Sequence, residues 1–259
     1  ALIVSAQRVA SSLDSFTLVA IPLFILAGGL MNTGGIAMRL IDLAKVLVGW
    51  LPGSLAQISV VANALFGAIS GSAVASAASV GATLSPLQRQ AGYNMPICAA
   101  ANVASSPCGL LIPPSGALIV YSLISGGTPV DVLFVAGYIP GILMAGSVMV
   151  WLAIIARRGE LPTDVRRYSM NEAAHIFWRA LPALAMIAII MGGIVGGIFT
   201  ATEAAGVAAL YTLVLGLLYR SLTLKTLVGS VINASVGTAV VMLMVGVSMT
   251  MSWLLASTG

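Results

Sequence analysis

Three serines, three prolines and a glycine fall within eleven residues, Ser105-Ser106-Pro107-Cys108-Gly109-Leu110-Leu111-Ile112-Pro113-Pro114-Ser115, inside an otherwise apolar stretch. Each proline lacks an amide donor and frees a carbonyl one turn back, so several backbone oxygens need partners there. Carbonyls and Ser hydroxyls are neutral oxygen donors, and at membrane depth such a set suits Na+. The plain alternative is a proline kink patched by neighbouring hydroxyls. A second set lies upstream. Ser70-Gly71-Ser72 separates two short arms, residues 55–69 and 73–85. Glycine permits a tight turn, and Ser hydroxyls coordinate a hard cation or accept ligand protons. Where two arms meet, helix C-termini offer carbonyls to a cation, and N-termini offer amides to a carboxylate. The alternative is close helix packing, since Gly67 and Gly71 form a Gly-xxx-Gly pair.

Other reactive residues carry less. Glu203, beside Thr202, is a cation or proton-relay candidate at a helix end, or else an N-cap partner. Gly192, Gly193, Gly196 and Gly197 read as a close-packing face. Cys98 and Cys108 have no His or carboxylate at metal-ligand spacing and read as small buried hydrophobes. His175 reads as a solvated loop residue. No Ser/His/Asp set, paired intramembrane carboxylates or phosphate-cradling loop is present in the sequence, so an enzyme is the last choice.

The elements that must position these residues are membrane helices. The chain has 259 residues, 59% apolar and 7% charged, against about 25% charged in soluble domains. The mean hydropathy is +1.09. The apolar runs are longer than barrel strands. The expected class is an all-α, polytopic membrane protein within a lipid bilayer. The net charge of +4 reflects loop placement and is not a nucleic-acid signal. The expected order is a span at 16–31, an amphipathic stretch at 36–50, the hairpin at 55–85 and a broken segment at 93–125. A span at 130–156, a polar loop at 157–179 and spans at 181–199 and 204–219 follow. An amphipathic stretch at 222–234 and a span at 236–256 complete it. As coarser units, residues 1–259 form one transmembrane domain, 52–127 a hairpin-plus-broken-helix unit and 157–180 a cytoplasmic loop.

The arms of the hairpin are shorter than the roughly 20 residues of a spanning helix, so the hairpin is expected to re-enter and leave on one side. With the first span running inward, ten of the eleven Lys and Arg residues then lie inside, Arg8 being the exception. Unpaired backbone in hydrocarbon is costly and survives around a cavity, an ion or a substrate. The first and last spans run in opposite senses and echo each other weakly, as inverted repeats do. The chain begins at Ala1 and stops just after an apolar run, and so reads as part of a longer polypeptide.

Residues 16–31 (FTLVAIPLFILAGGLM), 66–81 (FGAISGSAVASAASVG), Gly92-Tyr93, 105–115, 136–141 (AGYIPG) and 197–205 (GIFTATEAA) together resemble the large membrane subunit of tripartite ATP-independent periplasmic (TRAP) transporters. The resemblance runs in order along nearly the whole chain. It implies an elevator-type secondary transporter in the bacterial inner membrane, driven by a Na+ gradient. It also implies a small membrane subunit, a periplasmic substrate-binding protein and an organic-acid substrate such as a dicarboxylate or a sialic acid. By that resemblance Ser70, Gly109, Ile112 and Pro114 contribute to a sodium site. Gly71, Ser72, Ala73, Ser105, Ser106 and Ser115 are the candidate substrate contacts. Family members usually carry an acidic residue where Ser76 stands, and Thr-Ile where Pro107-Cys108 stand. The family's second hairpin and second broken helix would lie beyond Gly259. A proton-coupled or divalent-anion carrier that depends on Glu203, and a non-transporting membrane scaffold, are the alternatives.

Overall fold

A computed structural model describes residues 7, 9–11, 13–125, 128–163 and 168–258. The described residues form helices joined by short turns and loops. Arg8, Arg166 and Arg167 of the charge argument lie outside them. A 3-10 turn, Phe16–Val19, leads into α1 (Ala20–Thr33). α2 (Ile36–Val48) follows a corner at Gly35, φ +68°. α3 (Ser54–Ser70) and α4 (Ala73–Gln90) make the hairpin. α5 (Met95–Ser105), the single turn α6 (Cys108–Leu111) and α7 (Gly116–Ile124) make the broken helix. α8 (Val130–Arg157), α9 (Met170–Val195), α10 (Ala201–Leu218) and α11 (Leu224–Thr258) complete the order.

Five described helices are long and apolar enough to cross a membrane, and the broken helix, bent by 50°, makes a sixth crossing if it is one span. That is a polytopic helical membrane protein. α1 lies against α10, and its Phe24, Ala27 and Met31 share one core cluster with Ala204, Ala205 and Ala208 of α10 and with Ala183, Met186 and Ile190 of α9. α3 is the second centre. Its Ala56 and Val60 share a cluster with Tyr93, Cys98, Ala101 and Leu152. Its Ile58 and Ala62 share another with Ile41, Ala44, Val80 and Leu84. Cys98 and Cys108 are both buried free thiols.

Arg39, in the first turn of α2, meets the C-terminal end of α10 and the backbone of α9. The Arg39 guanidinium lies 3.5 Å from the centre of the Tyr219 ring, and Arg39 Nη1 donates to the Arg179 carbonyl. Gly53 packs against Ala156 and Leu161, and the Tyr93 hydroxyl donates to the Pro162 carbonyl. A cavity of about 510 Å³ is lined by Phe16, Val130, Asp131, Phe199, Thr200 and Glu203.

Four sequence expectations need correction. The stretch at 222–234 and the span at 236–256 are one helix, α11. Its polar side chains bond to their own helix, Ser235 to the Val231 carbonyl and Thr238 to the Ala234 carbonyl, so they do not end it. The polar loop is shorter than 157–179. α9 starts at Met170, where the Ser169 amide donates to the Glu172 carboxylate, so exposed His175 and Arg179 are helical. The hairpin arms have 17 and 18 residues rather than ending at Ile69 and Ser85, because Pro86 is accommodated near the end of α4 and Gly92, φ +73°, makes the exit. Finally, the glycines of α9 form a corner, not a helix-packing face. Gly193 lies against Phe199, Gly196 is the C-cap and Gly197 has φ +69°.

Candidate functional site: the hairpin tip and the helix break

The hairpin turns in two residues. Gly71, φ +61°, closes α3 with its amide on the Gly67 carbonyl at 2.8 Å, a left-handed C-cap in which glycine carries no Cβ penalty. Ser72 is extended and caps α4, its Oγ accepting the Ala75 amide at 3.2 Å. Ser70 is buried, with its Oγ 3.4 Å from the Ser72 amide. Ala73 opens α4 beside them.

In the broken helix, α5 ends at Ser105 and the chain makes one turn, α6. Ile112 then adopts extended backbone, φ −79° and ψ 118°. Ser115 is extended too and starts α7. Pro113 cannot donate to Gly109, and Ile112 has already donated to Cys108. Among the described residues no backbone amide reaches the carbonyls of Gly109, Ile112 or Pro114. Ser115 is 0% exposed and its Oγ has no hydrogen-bond partner there.

These two irregular segments face each other. Gly67 and Gly109 touch backbone to backbone, with no room for a Cβ on either. A Cβ on Gly71 would lie 3.4 Å from the Gly116 amide nitrogen. Gly28 of α1 presses on Ser70 from one side, and Gly141 of α8 presses on Ile112 from the other. The structure thus brings Ser70, Gly71, Ser105, Gly109, Ile112, Pro114 and Ser115 into one neighbourhood. Ser105 and Ser106 hydroxyls are already engaged, with Asn63 and with the Val103 carbonyl. Next to the tip lies a cavity of about 170 Å³, where Ser70 and Ser72 meet Asn32 of α1 and Ser230 and Asn233 of α11.

Sequence reasoning missed the residues that bind the two segments together. Asn63 of α3 and Asn102 of α5 form a buried network with Ser76 of α4 and Ser105. The available signal was an amide well inside an apolar helix, Asn63 in the first hairpin arm and Asn102 in the broken segment, since buried polar side chains in membrane helices face protein partners. Glu203, by contrast, is a capping residue: its carboxylate accepts the Thr200 amide and hydroxyl, both at 2.8 Å.

No group of three His, Cys, Asp or Glu side chains converges among the described residues. The donors at the tip and break are neutral oxygens. An orphaned buried hydroxyl, carbonyls with no donor and opposed helix ends fit an alkali cation better than a transition metal.

A model of the family described as "Tripartite ATP-independent periplasmic transporter, DctM component" matches residues 1–259. The chain belongs to this family. It is 52% identical over 253 residues to the uncharacterised protein YgiK of Salmonella typhimurium, covering 98% of this chain and 58% of that protein. It is 40% identical to the sialic acid TRAP transporter permease protein SiaT of Haemophilus influenzae, over 93% of this chain and 39% of that protein. It is 39% identical to the 2,3-diketo-L-gulonate TRAP transporter large permease protein YiaN of Escherichia coli, over 97% and 59%. The chain therefore spans roughly half the length of these DctM relatives. SiaT and YiaN are named as transporter permeases, not as enzymes.

Proposed function

We propose that this DctM chain supplies part of the ion- and substrate-binding machinery of a Na+-coupled uptake system for an organic acid. The observation that carries the reading is the meeting of hairpin tip and helix break. There the buried Ser115 hydroxyl and the carbonyls of Gly109, Ile112 and Pro114 have no donors among the described residues. Such groups cost several kcal/mol in hydrocarbon unless a ligand satisfies them. Na+ bound by Ser70, Gly109, Ile112, Pro114 and Ser115 would satisfy them. The amide ends of α4 and α7, with Gly71, Ser72 and Ala73, are suited to a substrate carboxylate. Ser105 and Ser106 flank the break, with their hydroxyls engaged by Asn63 and by the carbonyls of Asn102 and Val103.

In this reading the whole protein sits in the bacterial inner membrane and works with a small membrane subunit. A periplasmic binding protein delivers the acid. Hairpin and broken helix move together in an elevator cycle, and a second hairpin and broken helix complete the site. The names of the relatives, sialic acid and 2,3-diketo-L-gulonate among them, support a carboxylate substrate class. The proton-coupled alternative loses its main residue, because Glu203 is engaged in capping α10. The test is uptake of a labelled acid by the complete transporter in liposomes. Uptake should follow an imposed Na+ gradient and stop in K+ or choline, and Gly71→Ala and Pro114→Ala should reduce it while the complex still assembles. Sodium-independent uptake, or normal uptake by both variants, would refute the assignment.

A further inference from the structure

Asn63 is 0% exposed in the middle of α3, one turn before the Gly67–Gly109 contact. Its side-chain amide nitrogen lies 2.9 Å from Asn102 Oδ1, 3.0 Å from the Asn102 carbonyl and 2.8 Å from Ser105 Oγ. Two hydrogens thus serve three acceptors on α5. Its Oδ1 accepts the Ser76 hydroxyl of α4 at 2.7 Å. Asn102 fixes the orientation from the far side, since its own amide donates to the Ala77 carbonyl of α4 at 2.8 Å. Reversing the Asn63 amide would set its oxygen against two acceptors of Asn102. The network therefore has one direction, holds no ionisable group and leaves none of the Asn63 polar atoms unsatisfied.

We propose that Asn63 is a positioning residue: its amide ties both hairpin arms to the first half of the broken helix, and so holds the tip at a fixed distance from the break. The inference rests on the sodium-site reading above. A cation site made of backbone carbonyls needs its oxygens held within a few tenths of an ångström, and these carbonyls lie in a single helical turn and the extended residues after it. Asn63 lies on the arm of one segment and grips the arm of the other. The hydrogen bonds of its side chain go to Asn102, Ser105 and Ser76, not to Ser115 or the orphan carbonyls. Its effect on ion binding is indirect, through the Gly67–Gly109 and Gly71–Gly116 approaches.

The test compares Asn63→Asp and Asn63→Ala in the complete transporter. Asn63→Asp keeps the shape and the acceptor for Ser76 but removes both donors toward α5. The Na+ concentration giving half-maximal uptake should rise about tenfold in both, the equivalent of one or two buried hydrogen bonds. The maximal rate at saturating Na+ should change much less. Amide hydrogen exchange should quicken over residues 70–76 and 105–116, with α9 and α10 unchanged. Ser76→Ala, which removes one link and folds more readily, should give a smaller shift in the same direction. An unchanged Na+ requirement in folded Asn63→Asp and Ser76→Ala would overturn the proposal. So would exchange that quickens equally in α9 and α10, because that is general destabilisation. If the wild type shows no Na+ dependence, the sodium reading fails by itself, and the exchange pattern alone decides whether Asn63 positions the tip.

Discussion

At Gly109 one added methyl group would run into the backbone of Gly67 and come within 3.0 Å of the Asn63 carbonyl oxygen. The neighbours are backbone atoms, so they cannot swing aside. Gly109→Ala is expected to destabilise the protein by about 1–3 kcal/mol, the range for overpacking a rigid contact, and to abolish uptake. A melting curve and an uptake assay on the same preparation check both. Ser115 predicts the opposite sign. Its hydroxyl is buried and unpartnered, so in sodium-free buffer Ser115→Ala should melt at the same temperature as wild type or slightly higher. The stabilisation given by Na+ should shrink in the same variant. A variant that melts lower without Na+ would mean that Ser115 has a structural partner instead.

Among the elements, the hairpin tip and the helix break were legible because glycine, proline and serine mark them directly. Gly71 sits at φ +61°, and Gly71→Ala should cost about 1 kcal/mol for the left-handed conformation alone. What pairs the two elements was not legible. The Gly67–Gly109 contact and the Asn63–Asn102 bond join positions about forty residues apart, and no local periodicity encodes such a pairing. The continuity of α11 was hidden for a different reason. Ser230, Asn233 and Ser235 resemble a polar boundary in sequence, but Ser235 bonds to its own helix and Ser230 lies 3.4 Å from Thr33 of α1. Glu203 has a capping role at the start of α10. Glu203→Ala should remove one capping interaction and lower the melting temperature slightly, while Na+-driven uptake persists. Loss of uptake with normal folding would return the proton-coupled reading to first place.

For the molecule as a whole, class and span order follow from hydropathy, whereas the partners of its outer faces do not. The apolar windows of α8 and α11 bury only 22% and 17% of their residues within the chain. Those faces are left to lipid or to other protein, which accords with a chain spanning roughly half of each relative. The central claim is that tip and break together bind Na+. The most direct measurement is the melting temperature of the complete transporter in NaCl, KCl and choline chloride at equal ionic strength. A bound ion stabilises by RT ln(1 + [Na+]/Kd), about 2.7 kcal/mol at a hundredfold excess. The account predicts a rise specific to NaCl that is diminished in Ser115→Ala. Equal melting temperatures in the three salts would contradict it.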